Sequence, residues 1–283
     1  MPLADGSIVG IHGIAQQQLG RHQLLASWSR ALADGIERAI AGRSTPPPLD
    51  VAYFGDLFLA PADGAKAGVE TGGSWLDDLS DDESVELAAA VREMAVEEPG
   101  TELPNKGYTR APALVQSAIR LLDRRFDRPE VLLCVGELRQ VRRYLREPVL
   151  RQEVADRLTT ADRHGRVLIG HSLGSVVALD HLMRRPDRRY DLLLTLGSPL
   201  GLRFVRDRLT PAGGPAVRPG NVGRWVNVRD PRDPVAGVPL EGRWSGVQDV
   251  TVNNQSDAHA AERYLGKRQV GEAVVAALPE LAR

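Results

Sequence analysis

Gly170-His171-Ser172-Leu173-Gly174 lies between the branched apolar run Val167-Leu168-Ile169 and the small-residue run Ser175-Val176-Val177-Ala178-Leu179. The first run reads as a buried strand and the second as a helix, which leaves a sharp turn with serine at its apex. A residue at that apex is held in a strained backbone conformation, and its hydroxyl is lifted clear of the sheet. Gly170 and Gly174 are expected to be glycine because a Cβ there would collide with the strand-to-helix crossing. With 28 glycines in 283 residues, the bare pattern would occur by chance in roughly one chain in eight. The flanking strand and helix therefore carry the reading of Ser172 as a candidate nucleophile.

Outward from this turn, apolar runs bounded by turn residues predict six strands, at about 7–12, 49–55, 166–170, 191–197, 223–229 and 246–252. Helical spacing is expected over about 19–41, 81–97, 112–126, 129–161 with a break near Pro148, and 258–281 with an interruption near Gly266. The Pro/Gly-rich stretch 210–223 reads as a surface loop. Strands alternating with helices predict an α/β fold: a mostly parallel central sheet of about six strands flanked by helices. The segment 57–163, which precedes the nucleophile strand, is longer than one crossover helix requires and is expected to be a helical insertion.

In open α/β sheets, functional residues gather at the carboxyl ends of strands. A serine hydroxyl needs a base within reach, and the base needs a carboxylate to orient it. Of His12, His22, His164, His171, His181 and His259, only His259 follows a strand C-terminal to Ser172, where it is expected to open the last helix. His171 is expected to point away from the serine. The acid is expected from the loop Asp230-Pro231-Arg232-Asp233-Pro234-Val235, with Asp257, which equally suits the N-cap of the last helix, as a third candidate. Asp233, where the chain turns back toward the sheet, is preferred to Asp230, which suits a turn cap. The oxyanion donors are expected to be the amides of Leu173, first in the helix, and Ile14, in the loop His12-Gly13-Ile14 after the first strand. His12 is assigned to holding that loop.

The chain carries 36 basic against 37 acidic residues, and its arginine-rich stretches are interleaved with acids, so no nucleic-acid footprint is expected. Cys134 is the single cysteine, which excludes an intramolecular disulfide and leaves an oxidising compartment unnecessary. No leader and no bilayer-spanning run are visible, and a cytoplasmic location is expected. No group of His, Cys and Asp has metal-ligand spacing, so neither metal nor cofactor is expected.

Taken together, Ile11-His12-Gly13, Gly170-His171-Ser172-Leu173-Gly174, Gly197-Ser198-Pro199, the acid loop and His259 resemble the α/β-hydrolase superfamily, on its lipase-like and esterase-like branch. The resemblance implies one domain over 1–283 and a serine hydrolase that cleaves a small-molecule or lipid ester, or a thioester, through an acyl-enzyme. Ser172, His259 and Asp233 would form its triad. It also implies that 57–163 is a cap or a surface for homo-oligomer formation, with a mobile opening at 61–74. The chain departs from the family in starting at the oxyanion strand, without the usual antiparallel pair before it. Three alternatives stay open: an acyltransferase on the same triad, a catalytically idle scaffold or binding module, and a membrane-surface lipase presenting Trp75, Leu76, Leu79 and Val85.

Overall fold

The computed structural model describes residues 7–14, 19–44, 46–58, 76, 78–95, 111–123, 125–211 and 214–282. Six strands form one sheet: β1 (Ile8–Ile11), β2 (Leu49–Ala52), β3 (Val167–His171), β4 (Tyr190–Leu196), β5 (Val222–Arg229) and β6 (Val247–Thr251). They are ordered β2-β1-β3-β4-β5-β6, and every neighbouring pair is parallel. Each strand coincides with one of the apolar runs, differing by a few residues at the ends.

Parallel neighbours cannot be joined by tight hairpins, so every link crosses over the sheet. The crossovers carry α1 (Arg21–Ile40), α2 (Asp81–Ala95), α3 (Ala111–Leu122), α4 (Arg128–Arg146), α5 (Pro148–Ala161), α6 (Leu173–Arg184) and α7 (Arg203–Leu209). After β6 come α8 (Ala261–Leu265) and α9 (Arg268–Ala277). The expected break at Pro148 divides α4 from α5, because proline has no N–H to continue the ladder. Gly266 caps α8 and separates it from α9. The short helix α7 has no counterpart in the sequence reading.

The strands alternate between two cores, as a sheet covered on both faces requires. Ile8, Val51, Val167, Ile169, Leu192, Leu194 and Val226 pack with Leu24, Trp28, Leu32, Tyr264 and Val274 from α1, α8 and α9. Val9, Ile11, Leu168, Leu193 and Trp225 face the other way, into a core built with α2 to α7. Four of those helices, α2 to α5, lie between β2 and β3 in the chain.

Side-chain ion pairs fasten α2 to its neighbours. Arg142 Nε donates to Glu86 at 2.8 Å, Arg208 of α7 donates to the other Glu86 oxygen at 2.6 Å, and Arg139 pairs with Glu83 at 3.6 Å. Leu76 and Leu79, two residues of the proposed membrane-facing set, are buried in the core, while Val85 is exposed. Trp75 and the 61–74 opening lie outside the described residues. No helix among the described residues is long and apolar enough to cross a membrane.

Helices α1 and α9 approach backbone to backbone. A Cβ added at Gly271 would stand 2.0 Å from the Gly35 carbonyl oxygen, and one at Gly35 would stand 2.3 Å from that of Leu265. No side-chain rearrangement relieves a clash with main chain. Gly271→Ala is therefore expected to cost about 2 kcal/mol or more, read as a lower urea midpoint with an unchanged m-value.

Candidate active site

Each strand except β2 ends in a loop that sends a residue to one place, the carboxyl edge of the sheet. β1 leads to His12 and Gly13, β3 to Ser172, β4 to Gly197 and Ser198, β5 to Asp230 and Asp233, and β6 to His259.

Ser172 stands at φ 52°, ψ −125°, a region that non-glycine residues enter only when the surroundings enforce it. Both flanking glycines do what the sequence predicts. A Cβ on Gly170 would lie 2.5 Å from the Gly174 carbonyl oxygen, and one on Gly174 would lie 1.9 Å from that of Ile11. Ser175 braces the turn: its hydroxyl donates to the Ser172 carbonyl at 2.6 Å and pairs with the Ser198 hydroxyl at 2.7 Å.

His259 lies in the turn before α8 rather than at the start of that helix, because the chain becomes helical only at Ala261. Its Nδ1 meets both oxygens of Asp233, at 2.9 and 2.8 Å. Asp233 also accepts from the Tyr264 hydroxyl at 2.8 Å and from the Val235 amide at 2.9 Å. Three directions of donors thus hold one buried carboxylate against the ring. Asp230 does different work. It accepts from the amides of Arg232, at 2.9 Å, and Asn254, and so ties the acid loop to the end of β6. Those donors, with the Arg232 side chain, outweigh burial and keep its carboxyl below the usual range.

Gly197, at φ 55°, is the third glycine the site requires. A Cβ there would stand 2.8 Å from Asp233 Oδ2 and 3.3 Å from His259 Cε1.

His12 is fully buried. Its Nδ1 donates to the Gly13 carbonyl at 2.6 Å and its Nε2 accepts from the Phe54 amide at 3.0 Å. Both ring nitrogens are spent on backbone, so His12 holds its loop and is no free base. The loop touches the serine closely: a Cβ on Gly13 would come within 2.8 Å of Ser172 Cβ. Ile14, the next residue, is buried. Leu173 opens α6, and a first-turn amide has no acceptor within its own helix. Leu173 thus adjoins Ser172 at the start of α6, and Ile14 follows Gly13 after β1.

His171 does not simply point away. Its Nε2 donates to the His259 carbonyl at 2.7 Å, and the two rings lie 4.7 Å apart. Burial, then the neighbouring His259 charge, lowers its pKa to about 4, and burial lowers that of His12 to about 4 as well. Both are neutral in the folded state near pH 7. Depressed basic groups add stability above the unfolded-state pKa, and that stability is lost as pH falls from about 6.5 toward 4. His171→Gln, which keeps a donor without a titrating ring, is expected to lose less stability over that window. Urea midpoints at about pH 7, 5.5 and 4 read the difference.

Glu137 and Tyr264 were missed by the sequence reading. Glu137 belongs to α4, on the same buried face as Val131, Cys134, Val135, Leu138 and Val141. An acid in an apolar stripe was the available signal, since a buried carboxylate needs partners. Its Oε2 accepts from the Ser172 hydroxyl and lies 3.0 Å from His259 Nε2. A continuous chain results: Ser172, Glu137, His259, Asp233, with Tyr264 behind. The serine and imidazole meet through a single carboxylate oxygen. Burial opposes charge on His259, but the Asp233 and Glu137 carboxylates overcome it and hold its pKa well above the ordinary value. Burial likewise opposes charge on Glu137, and His259 reverses that, holding the carboxyl below its usual range.

Beside His259, described residues that include Cys134, Arg232 and Val235 line a small cavity of about 80 Å³. A far larger groove, about 1110 Å³ between α2 and α7, does not reach it. Ser172 itself has no exposed surface. Among the described residues no cluster of His, Cys, Asp and Glu could hold a metal ion. Comparison with known proteins adds no relative: no family model, no curated protein and no solved structure matches this chain.

Proposed function

We propose that the chain is a serine hydrolase that cleaves a carboxylic ester or thioester through an acyl-enzyme. One observation carries the reading: a serine at a strained elbow, within one shared oxygen of an imidazole whose far nitrogen is fixed by a buried carboxylate. It is supported by the resemblance of the same residues to the lipase-like and esterase-like α/β-hydrolases.

In this reading Ser172 Oγ attacks the substrate carbonyl carbon and passes its proton to His259 Nε2. Asp233 holds the Nδ1 proton and stabilises the imidazolium. The amides of Leu173 and Ile14 receive the oxyanion. Collapse expels the alcohol or thiol, which takes the proton from Nε2. Water then attacks the acyl-enzyme through the same base, releasing the acid and restoring the serine. No metal or cofactor takes part. Helix α4 acts as a cover, since it brings Glu137 onto the serine. An acyltransferase would differ only in what replaces water as the acceptor.

The full burial of Ser172 favours one other reading, an idle scaffold. Turnover of p-nitrophenyl esters of increasing chain length by the wild type and Ser172→Ala separates the two. Hydrolysis that requires Ser172 supports the enzyme, and equal background rates support the scaffold.

A further inference from the structure

A serine poised for attack donates its proton to an imidazole nitrogen that carries none. Here neither condition holds. Ser172 donates to Glu137 Oε2 instead, and His259 Nε2 faces the same oxygen at 3.0 Å. An anionic oxygen attracts a proton onto Nε2, so the ring donates on both sides, to Glu137 and to Asp233. An oxygen bonded to both Oγ and Nε2 occupies the place a released acid would take after deacylation. It also fills the position from which a leaving-group oxygen must collect its proton.

We propose that Glu137 is a built-in inhibitor of the Ser172 site, an internal mimic of the product carboxylate that substrate must displace before the serine can be activated. The inference rests on the hydrolase reading above. Two further features agree with it. Ser172 is fully buried, and Glu137 has no other described hydrogen-bond partner.

The Glu137 carboxylate of α4 and the Asp233 carboxylate of the acid loop set the charge of His259 against its burial. Also near the ring are Cys134 of α4, in the same cavity lining, neutral His171 at the end of β3, and, behind Asp233, the Tyr264 hydroxyl of α8. Arg232, Glu130 and Asp257 line the cavity beside the ring. Of the two carboxylates in contact with the ring, only Glu137 competes for the nitrogen the reaction uses.

The test is the rate at which a fluorophosphonate probe labels the wild type, Glu137→Gln and Glu137→Ala, followed over about pH 6 to 9. Glu137→Gln keeps the shape of the side chain and reads the effect even if the alanine variant does not fold. Both variants are expected to label about tenfold faster than wild type near pH 7. The pH of half-maximal rate should move down by about one unit, since loss of the carboxylate releases the Nε2 proton at lower pH. A merely structural role would not move that profile.

Labelling in the variants but not in the wild type also supports the proposal. Variant rates equal to or below wild type at every pH overturn it, and they leave the hydrolase reading standing because the serine still reacts. Absence of labelling in all three folded proteins overturns the hydrolase reading and the role of Glu137 with it.

Discussion

Ser172→Ala is expected to lower kcat for ester hydrolysis by a factor on the order of 10⁶, leaving only the residual effect of binding and the oxyanion donors. The chain offers no substitute nucleophile at the elbow. Ser175 and Ser198 hydrogen-bond each other, and Ser175 is committed to the Ser172 carbonyl. Stability should change little by comparison, because Glu137 Oε2 loses the hydroxyl but keeps His259 as its partner. An activity loss with an unchanged or higher unfolding midpoint marks the serine as chemical rather than structural. A fall in both together would point to damage at the turn.

Asp233→Asn is expected to lower kcat by about 10⁴. The asparagine amide can donate to Nδ1, which places the remaining ring proton on Nε2, where the serine needs an acceptor. Loss of the Asp233 charge also removes the larger of the two attractions that hold His259 above its ordinary pKa, so the residual activity should be half-maximal at lower pH. Asp230→Asn supplies the contrast. Its carboxylate meets backbone amides and Arg232 rather than a ring, so it should cost stability while the pH profile of kcat stays in place. Kinetics across pH on both variants, with urea midpoints alongside, decide which aspartate serves the imidazole.

The strands and the three turn positions were legible because their signals are local. A buried strand in a parallel sheet is a short apolar run whatever surrounds it, and β3 followed by Gly170 and Gly174 needs no partner to be recognised. Asp233 and His259 could be read for a related reason. Strand ends point to one edge of a parallel sheet, so the order of strands already brings their loops together.

Glu137 was not legible in that way. The periodicity of α4 shows which face is buried but says nothing of what that face meets, and the helix covers a strand end 35 residues further along the chain. Tyr264 illustrates the same limit. On α8 it reads as a core aromatic, and only the packed structure shows its hydroxyl bridging Asp233 and the Asp230 amide. The short helix α7 escaped because seven residues make about two turns, too few for a period to emerge.

The measurement closest to the central claim is intact-mass analysis after prolonged exposure of the wild type and Ser172→Ala to a fluorophosphonate, followed by peptide mapping. The account predicts a single adduct on the wild type, located at Ser172, and none on Ser172→Ala. An adduct that persists in Ser172→Ala at another residue, or no adduct on the folded wild type and on Glu137→Gln alike, would contradict it.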